Sequence, residues 1–261
     1  FVFDRNDRAV SAHGLFPGTK CKPHPVSCGA IQVDGMAAEF NINPSETYEE
    51  FEHNIETVLA ELKAYLPKGY SLKALPCVVF DQDVWDSTPD EAKELGCSPD
   101  FNAWTGGVNN PPVCIEQPTL RTASGHLHIG WTSGQDMEDL QHILACRDLV
   151  KQLDWYLGAW SVEKDPDPRR RLLYGKAGAC RYKDYGVEYR VLGNFWVEDR
   201  QLRRETWDRL HAAIHCMSTV FMPDNYKKYG PELVESINTS CVQEYFSNYF
   251  KFPIKTIKNV L

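Results

Sequence analysis

Residues 125–130 read GHLHIG, with histidines at 126 and 128 and apolar side chains at Leu127 and Ile129. Side chains on a β-strand point to alternate faces, so this spacing predicts a strand with one apolar and one polar face. The solvent face of a structural sheet usually carries threonine, serine, lysine and glutamate. Histidines in these positions indicate that the polar face carries chemistry.

Three other segments alternate with the same period: AIQVD at 30–34, AEFNI at 38–42 and VEYRVLGN at 187–194. Their polar positions are Gln32, Asp34, Glu39, Asn41, Glu188 and Arg190. Carboxylates together with histidines are ligands for Mg²⁺ or Mn²⁺, or alternatively for Zn²⁺, so the four strands predict a shared functional face. The alternative interpretation is a structural sheet with one ordinary solvent face.

The remaining pattern predicts helices that cover the apolar face of the sheet. Apolar residues recur at three- and four-residue spacing over 45–66, with Ser45 as the expected N-cap, and helices are also predicted over 138–157 and 199–221. This order of elements predicts an α+β fold with a mainly antiparallel sheet, helices on one face and the active site on the other.

No repeat or linker divides the chain, so we predict a single catalytic domain over residues 1–261. Residues 81–118 are polar and lack periodicity, which is typical of a functional loop or lid insertion. The segment 165–186 is rich in proline, glycine and arginine and predicts a loop. The residues after Pro223 are predicted to be helical.

A basic cluster interrupts an otherwise acidic chain. Its members are Arg169, Arg170, Arg171, Lys176, Arg181 and Lys183. They flank the glycines of YGKAG at 174–178, and guanidinium forks together with exposed backbone amides suit phosphate oxygens. Lys20 and Lys22 are candidates for the same anion site. The alternative is a solvated loop, but a carboxylate and histidine face beside arginines favours a polyphosphate site.

Composition excludes several classes of protein. With 43% hydrophobic residues the chain can bury a core, and a mean hydropathy of −0.43 without a long apolar run excludes a membrane span. The net charge of −8 argues against a nucleic-acid partner. Nine cysteines at irregular spacing predict reduced thiols and a cytoplasmic protein. No signal peptide is visible, and the oligomeric state stays open.

Five motifs together resemble the phage-type COOH–NH₂ ligases (amidoligase type 2), relatives of glutamate–cysteine ligase and, more distantly, of glutamine synthetase. They are SAHGLFPGTKCKP, AIQVDGMAAEFNI, GHLHIGW, RRRLLYGKAGACR and YGVEYRVLGNFW, and they span most of residues 1–220. The resemblance implies a glutamine-synthetase-like sheet and, for a phage-encoded protein, the cytoplasm of a bacterial host. It also implies that ATP and Mg²⁺ (or Mn²⁺) phosphorylate a carboxylate, from which an amine displaces phosphate to form an amide.

The resemblance assigns roles to five strand residues. Glu39, His126 and Glu188 match metal ligands, His128 matches a residue that faces nucleotide phosphate, and Arg190 matches the arginine that holds the transferring phosphate. Glu39, Glu188 and Arg190 are therefore expected to be catalytic, with small-molecule or peptide carboxylates and amines as substrates.

Further residues complete the expected site. Arg171 and Arg181 resemble the phosphate clamp of the family, and Arg170, Lys176 and Lys20 are candidates for the same role. Asp34 is a candidate to accept the proton of the attacking amine. Candidate substrate-binding residues are Gln32, Asn41, Arg121 and Asn194.

Two alternatives to a ligase stay open. The first is a metal-dependent hydrolase on the HxH strand, with Glu39 or Glu188 as the base. The second is a degenerate nucleotide-binding protein on the same scaffold. Members of the family open with a strand that carries an acidic metal ligand. We expect the corresponding strand before Phe1. Because the sequence from Phe1 onward does not contain this motif, the number of metal ions stays open.

Overall fold

A computed structural model describes residues 1–94, 100–109, 117–219 and 223–241. The strands are Val2–Phe3 (β1), Ala9–Val10 (β2), His24–Val26 (β3), Gly29–Asp34 (β4), Ala37–Ile42 (β5), Ser71–Leu72 (β6), Cys77–Val79 (β7), Phe101–Asn102 (β8), Leu120–Thr122 (β9), Leu127–Gly130 (β10), Ala179–Lys183 (β11) and Gly186–Tyr189 (β12). The α-helices are Tyr48–Ala64 (α1), Gln82–Ser87 (α2), Asp90–Lys93 (α3), Leu140–Leu153 (α4), Ala159–Lys164 (α5), Pro168–Leu173 (α6), Arg200–Thr219 (α7) and Pro223–Thr239 (α8). The strands pair antiparallel, so the predicted α+β class with a mainly antiparallel sheet is confirmed.

The chain divides into two compact units. Unit 1 contains Phe1–Ser98, Val113–Ala123 and Val197–Arg203, and unit 2 contains Pro99–Pro112, Ser124–Trp196 and Arg204–Leu261. The single catalytic domain over residues 1–261 stays a prediction. No described helix is long and apolar enough to cross a membrane.

In unit 1, a three-stranded sheet of order β3-β4-β5 packs against α1. The predicted strands AIQVD and AEFNI form β4 and β5, joined by a turn at Gly35, whose φ of +60° lies in the region that favours glycine. Ile31 from the sheet and Val58 and Leu62 from α1 belong to one buried cluster. The apolar stripe predicted for this helix therefore faces the sheet.

The start of α1 differs from the prediction by two residues. Thr47, rather than Ser45, is the N-cap: its hydroxyl accepts from the Glu50 backbone N–H, and the Glu50 carboxylate accepts from the Thr47 backbone N–H. This reciprocal pair is a capping box, and it satisfies two backbone donors that a helix start leaves open. Ser45 instead donates its hydroxyl to the carbonyl of Asn43.

Unit 1 contains two further small sheets. The predicted hairpin near the start of the chain is present, with β1 paired to β2 and also to β6. Strand β7 pairs with β9. Phe1, Phe3, Met36, Val78 and Phe80 form a buried cluster that includes residues of β1 and β7. Burial of such aromatic side chains is a large part of the stability of a small core.

The core of unit 2 is a four-stranded antiparallel sheet of order β10-β12-β11-β8. Helix α4 packs against β11 and β12 with Cys146, Leu149, Val150 and Leu153 buried. The predicted strand GHLHIG begins at Leu127 as β10. One face of this sheet is therefore covered by a helix, as the apolar alternation predicts.

Two segments that were expected to be irregular contain helices and strands. The segment 165–186 contains α6 and β11 rather than a continuous loop. The Asp167 carboxylate accepts from the Arg169 backbone N–H and Pro168 occupies the first turn, so the sequence has a strong helix start. Within residues 81–118, α2, α3 and β8 form, while 95–99 and 110–116 lie outside the described residues, so the lid stays a prediction.

The helix predicted over 138–157 begins as α4 and continues through a π-helical turn, Asp154–Gly158, into α5. Asp154 in this turn is fully buried. Its carboxylate accepts from Trp104 Nε1 at 2.7 Å, from the Tyr189 hydroxyl at 2.8 Å and from the Gly178 backbone N–H at 2.7 Å. The turn thus places a charged acceptor where three separate segments of unit 2 need one.

Candidate functional site

Side chains on three adjacent strands of unit 2 form a polar face. His128 on β10 lies directly opposite Glu188 on β12, which in turn lies opposite Arg181 on β11. Residues paired across antiparallel strands point to the same face. Leu127 and Val187 alternate with them and point to the face that α4 covers. The alternation used to predict the site is therefore present in these strands.

Two more predicted residues flank the strands. His126 comes just before β10, and Arg190 comes just after β12. The Arg190 backbone N–H donates to the Ala179 carbonyl over 2.9 Å, so the strand pairing continues past the end of β12. Both side chains reach the Glu188 carboxylate.

Glu188 is surrounded by positive and polar groups. Its Oε1 accepts from Arg190 and lies 3.3 Å from His126 Nδ1, and its Oε2 lies 3.1 Å from Lys183 Nζ. Only 5% of the Glu188 side chain is exposed. A carboxylate buried to this extent needs such partners to remain charged.

Asp100, which the sequence did not identify, holds the other side of Arg190. Its Oδ1 lies 2.7 Å from Arg190 Nε and 3.6 Å from Arg181 Nε. Burial raises the pKa of Asp100, although the positive charges of Arg190 and Arg181 act to lower it. Asp100, His126, Lys183, Glu188 and Arg190 are called the Glu188 cluster below.

Protonation states in and beside the cluster follow from burial and charge. Burial acts to raise the pKa of Glu188, but His126 and the Lys183 charge outweigh it and lower the pKa to about 2. Burial lowers the pKa of His126 to about 4, reinforced by Arg190, and burial also lowers the pKa of His128. At neutral pH the carboxylate is therefore ionised and both imidazoles are neutral.

Two tyrosines line the same part of unit 2 and were not predicted. The Tyr185 hydroxyl is hydrogen-bonded to His128 Nδ1. The Tyr174 ring centroid lies 5.1 Å from Arg190 Cζ and 5.8 Å from the His126 ring centroid. Aromatic residues near histidines carry no periodic signal, so the sequence offers no means of finding them.

Arg170 and Arg171, which were predicted to clamp phosphate, are instead both fully buried. Arg170 donates to the carbonyls of Val191 and Leu192, and Arg171 donates to the carbonyl of Gly175 and to the Ser161 hydroxyl. Because these guanidinium groups donate hydrogen bonds to buried backbone carbonyls, they stabilise the interior of unit 2.

The YGKAG segment also differs from its predicted role. The Ala177 backbone N–H donates to Asn238 Oδ1, and that of Gly178 donates to the Asp154 carboxylate. These two amides therefore bind protein oxygens and are not exposed for phosphate. Lys176 lies between them in the chain and is half-buried, and its role as a phosphate ligand stays a prediction.

The predicted site residues of unit 1 form two pairs on the β4–β5 hairpin. Gln32 Nε2 donates to Glu39 Oε2 over 2.5 Å across the strands, and Lys20 Nζ lies 3.3 Å from Asp34 Oδ2. Asn41 is exposed on β5. The roles predicted for these residues in metal, phosphate and substrate binding stay predictions.

Arg121 and Asn194, predicted as substrate-binding residues, are both buried. Arg121 donates to the carbonyls of Pro118, Leu120 and Lys93, and its Cζ lies 4.4 Å from the Trp85 ring centroid. Its guanidinium therefore has internal structural contacts, and its role in substrate binding stays a prediction. Asn194 Oδ1 has no hydrogen-bond partner among the described residues.

The described residues do not fit a resident Mg²⁺ or Mn²⁺ ion. Within the described part of the chain, no three histidine, cysteine, aspartate or glutamate side chains form a group that could hold a metal. Both oxygens of Glu188 already face cationic side chains, and Asp100 Oδ1 faces Arg190. The contacts of Glu188 would have to break before its carboxylate bound a divalent cation.

Comparison of the chain with protein-family models, with curated proteins and with solved structures gives no match.

Proposed function

We propose that this protein is an ATP-dependent carboxylate–amine ligase that forms an amide bond through an acyl phosphate. The observation that supports it is the shared polar face of β10, β11 and β12, where histidines, a carboxylate and arginines meet. His126, His128, Glu188 and Arg190 were assigned to one site by the family resemblance, and in unit 2 they lie together.

The charges of this face suit phosphoryl transfer. A carboxylate is a poor electrophile, and transfer of the γ-phosphoryl group of ATP gives it a good leaving group. Arg190, Arg181 and Lys183 supply positive charge for the transferring oxygens, and Glu188 and Asp100 hold those cations in position. Mg²⁺ or Mn²⁺ enters this proposal with ATP, as part of the cosubstrate.

The second half-reaction is attack by an amine on the acyl phosphate, with release of inorganic phosphate. The amine must lose a proton during attack. Burial keeps the pKa of His126 near 4, too low for an efficient base at neutral pH. Asp34 on the β4–β5 hairpin stays the predicted proton acceptor, and Glu39 stays a predicted catalytic residue.

The test is release of phosphate by the purified full chain with ATP, Mg²⁺ and mixtures of the standard amino acids as carboxylate and amine donors. We expect phosphate release to require all components and to be accompanied by an amide product detected by mass spectrometry. Glu188→Gln should abolish product, because the cluster loses its central charge, while the exposed control Glu138→Gln should retain it. Absence of nucleotide binding with Mg²⁺ by calorimetry would refute the proposal.

One observation favours a second candidate, a nucleotide-binding protein without ligase activity. The described residues contain no group of three or more histidine, cysteine, aspartate or glutamate side chains able to hold a catalytic metal. ATP binding without an amide product for any donor pair would support this candidate. A metal-dependent hydrolase is disfavoured by the same absence of a metal group among the described residues.

A further inference from the structure

Two polar atoms beside the Glu188 cluster are buried without a hydrogen-bond partner among the described residues. They are Nε2 of His126 and the hydroxyl of Tyr174. Buried polar atoms are normally paired, and each exception in a native structure requires an explanation. Because the His126 and Tyr174 rings lie 5.8 Å apart, one ligand or bound group can explain both exceptions.

His126 Nδ1 lies 3.3 Å from both Arg190 NH1 and Glu188 Oε1, and these two contacts require opposite tautomers of the imidazole. Arg190 NH1 lies 3.3 Å from His126 Nδ1 in hydrogen-bonding geometry, and a guanidinium group can only donate. In the tautomer that satisfies Arg190, Nδ1 is the acceptor and the neutral imidazole carries its proton on Nε2. Glu188 Oε1, also 3.3 Å from Nδ1, is already an acceptor for Arg190.

The surroundings of these two donors favour negative charge. Arg190 packs over the Tyr174 ring, with Cζ 5.1 Å from its centroid. Arg190, Arg181 and Lys183 supply three positive charges against the two negative charges of Glu188 and Asp100. An N–H and an O–H beside a net positive group match the oxygens of an anion.

We propose that His126 Nε2 and the Tyr174 hydroxyl form a subsite that binds an oxyanion, the carboxylate or phosphate of a small acidic ligand. The proposal deepens the proposed function and rests on it for the ligand's role, as acidic substrate or as nucleotide phosphate. It places His126 as a hydrogen-bond donor to ligand rather than as a metal ligand.

The binding test uses isothermal calorimetry of the full chain with inorganic phosphate and with succinate, in the absence of ATP and Mg²⁺. Tyr174→Phe removes the hydroxyl but keeps the ring over Arg190, and loss of a hydrogen bond to a charged group should raise Kd about tenfold or more. Tyr182→Phe is the matched control, because Tyr182 pairs with Val187 on the opposite face of β11. Its Kd should equal that of the wild type.

A second measurement does not depend on the folding of any variant. Long-range ¹H–¹⁵N spectra of the wild-type imidazoles should show the His126 proton on Nε2, and that resonance should move when the bound probe is added. Response to succinate alone assigns the subsite to a carboxylate, and response to phosphate alone assigns it to a phosphoryl group. A proton on Nδ1, or no binding of either probe, would overturn the subsite.

The outcomes separate this subsite from the ligase proposal. Anion binding that Tyr174→Phe weakens, in a protein that makes no amide, supports the subsite and refutes the ligase. Amide formation by a protein whose His126 and Tyr174 do not respond to either anion supports the ligase and overturns the subsite.

Discussion

The Arg190 guanidinium group forms an almost fully buried ion pair with Asp100, over 2.7 Å from Nε to Oδ1. On its other side the same group donates to Glu188, which is also buried. A planar fork with donors on two edges can bridge two carboxylates, whereas a point charge cannot. Arg190 is therefore the residue that connects the segment before β8 to β12.

Arg190→Lys should lower both activity and stability. A lysine ammonium cannot reach Asp100 and Glu188 together, so at least one buried carboxylate loses its partner. We expect the free energy of unfolding to fall by about 1–3 kcal/mol, measured by chemical denaturation, with loss of any amide formation.

Arg181→Lys provides the comparison, because Arg181 is more exposed and lies 3.6 Å from the same Asp100 oxygen. Its effect on unfolding should be below 1 kcal/mol, on the order expected for a partly exposed pair. Equal losses in the two variants would contradict the bridging role of Arg190.

His126 should make the protein less stable in mild acid. Its pKa is lowered from 6.5 to about 4 by burial, so the unfolded chain binds a proton in this range and the folded chain does not. Stability is therefore lost as pH falls from about 6.5 to about 4, by roughly 3 kcal/mol for a shift of this size. The measurement is the denaturation midpoint between pH 7 and pH 4.

His126→Gln should remove this part of the pH dependence and leave a flatter profile. His53→Gln, at an exposed position of α1, is the matched control and should retain the wild-type profile. An unchanged slope in His126→Gln would show that His126 is protonated equally in the folded and unfolded chains.

Asp154 should act with the opposite sign. Burial raises its pKa from 3.8 to about 6, against the hydrogen bonds that it accepts. Its folded form binds the proton more tightly, so its contribution to stability is largest at low pH and is lost as pH rises from about 4 to about 6. Asp154→Asn lacks this titration and should therefore be more destabilising at pH 4 than at pH 7. A pH-independent difference in unfolding free energy would contradict this assignment.

The three consecutive arginines at 169–171 offer a direct comparison of buried and exposed positions. Arg171→Ala should cost about 3–5 kcal/mol, because its internal donors hold the Gly175 carbonyl and the Ser161 hydroxyl. Arg169→Ala, at an exposed residue paired with Asp167, should change stability by less than about 1 kcal/mol. Thermal denaturation of both variants measures this, and a stable Arg171→Ala protein would restore Arg171 as a candidate anion ligand.

The alternation of polar and apolar residues along the strands was the main basis for predicting the candidate site from the sequence. The period of two placed His128 and Glu188 on one face, because a side chain cannot change face without a shift of register. The same reasoning reached His126 and Arg190, although both lie just outside their strands, because the backbone stays extended there. Composition could not show that the side chains of Arg170 and Arg171 are buried, because the sequence does not distinguish a buried arginine from an exposed one.

The residues that the sequence missed come from segments without a period. Asp100 precedes a two-residue strand, and Tyr174 is the C-cap of the short helix α6. Their proximity to Arg190 depends on how β8, β11 and β12 pair, which is long-range information. Local patterns predict which face a side chain occupies but not which distant segment lies beside it.

The Asp154 carboxylate joins Trp104, Gly178 and Tyr189, which are distant from one another in the chain. If one of these segments detached, the buried Asp154 carboxylate would lose a hydrogen-bond donor. We therefore expect the three segments to unfold together. The Gly178 amide N–H donates a hydrogen bond to this carboxylate. Its proton should therefore exchange with deuterium only when the whole of unit 2 unfolds. It would act as an internal reporter of the global unfolding rate or equilibrium of that unit.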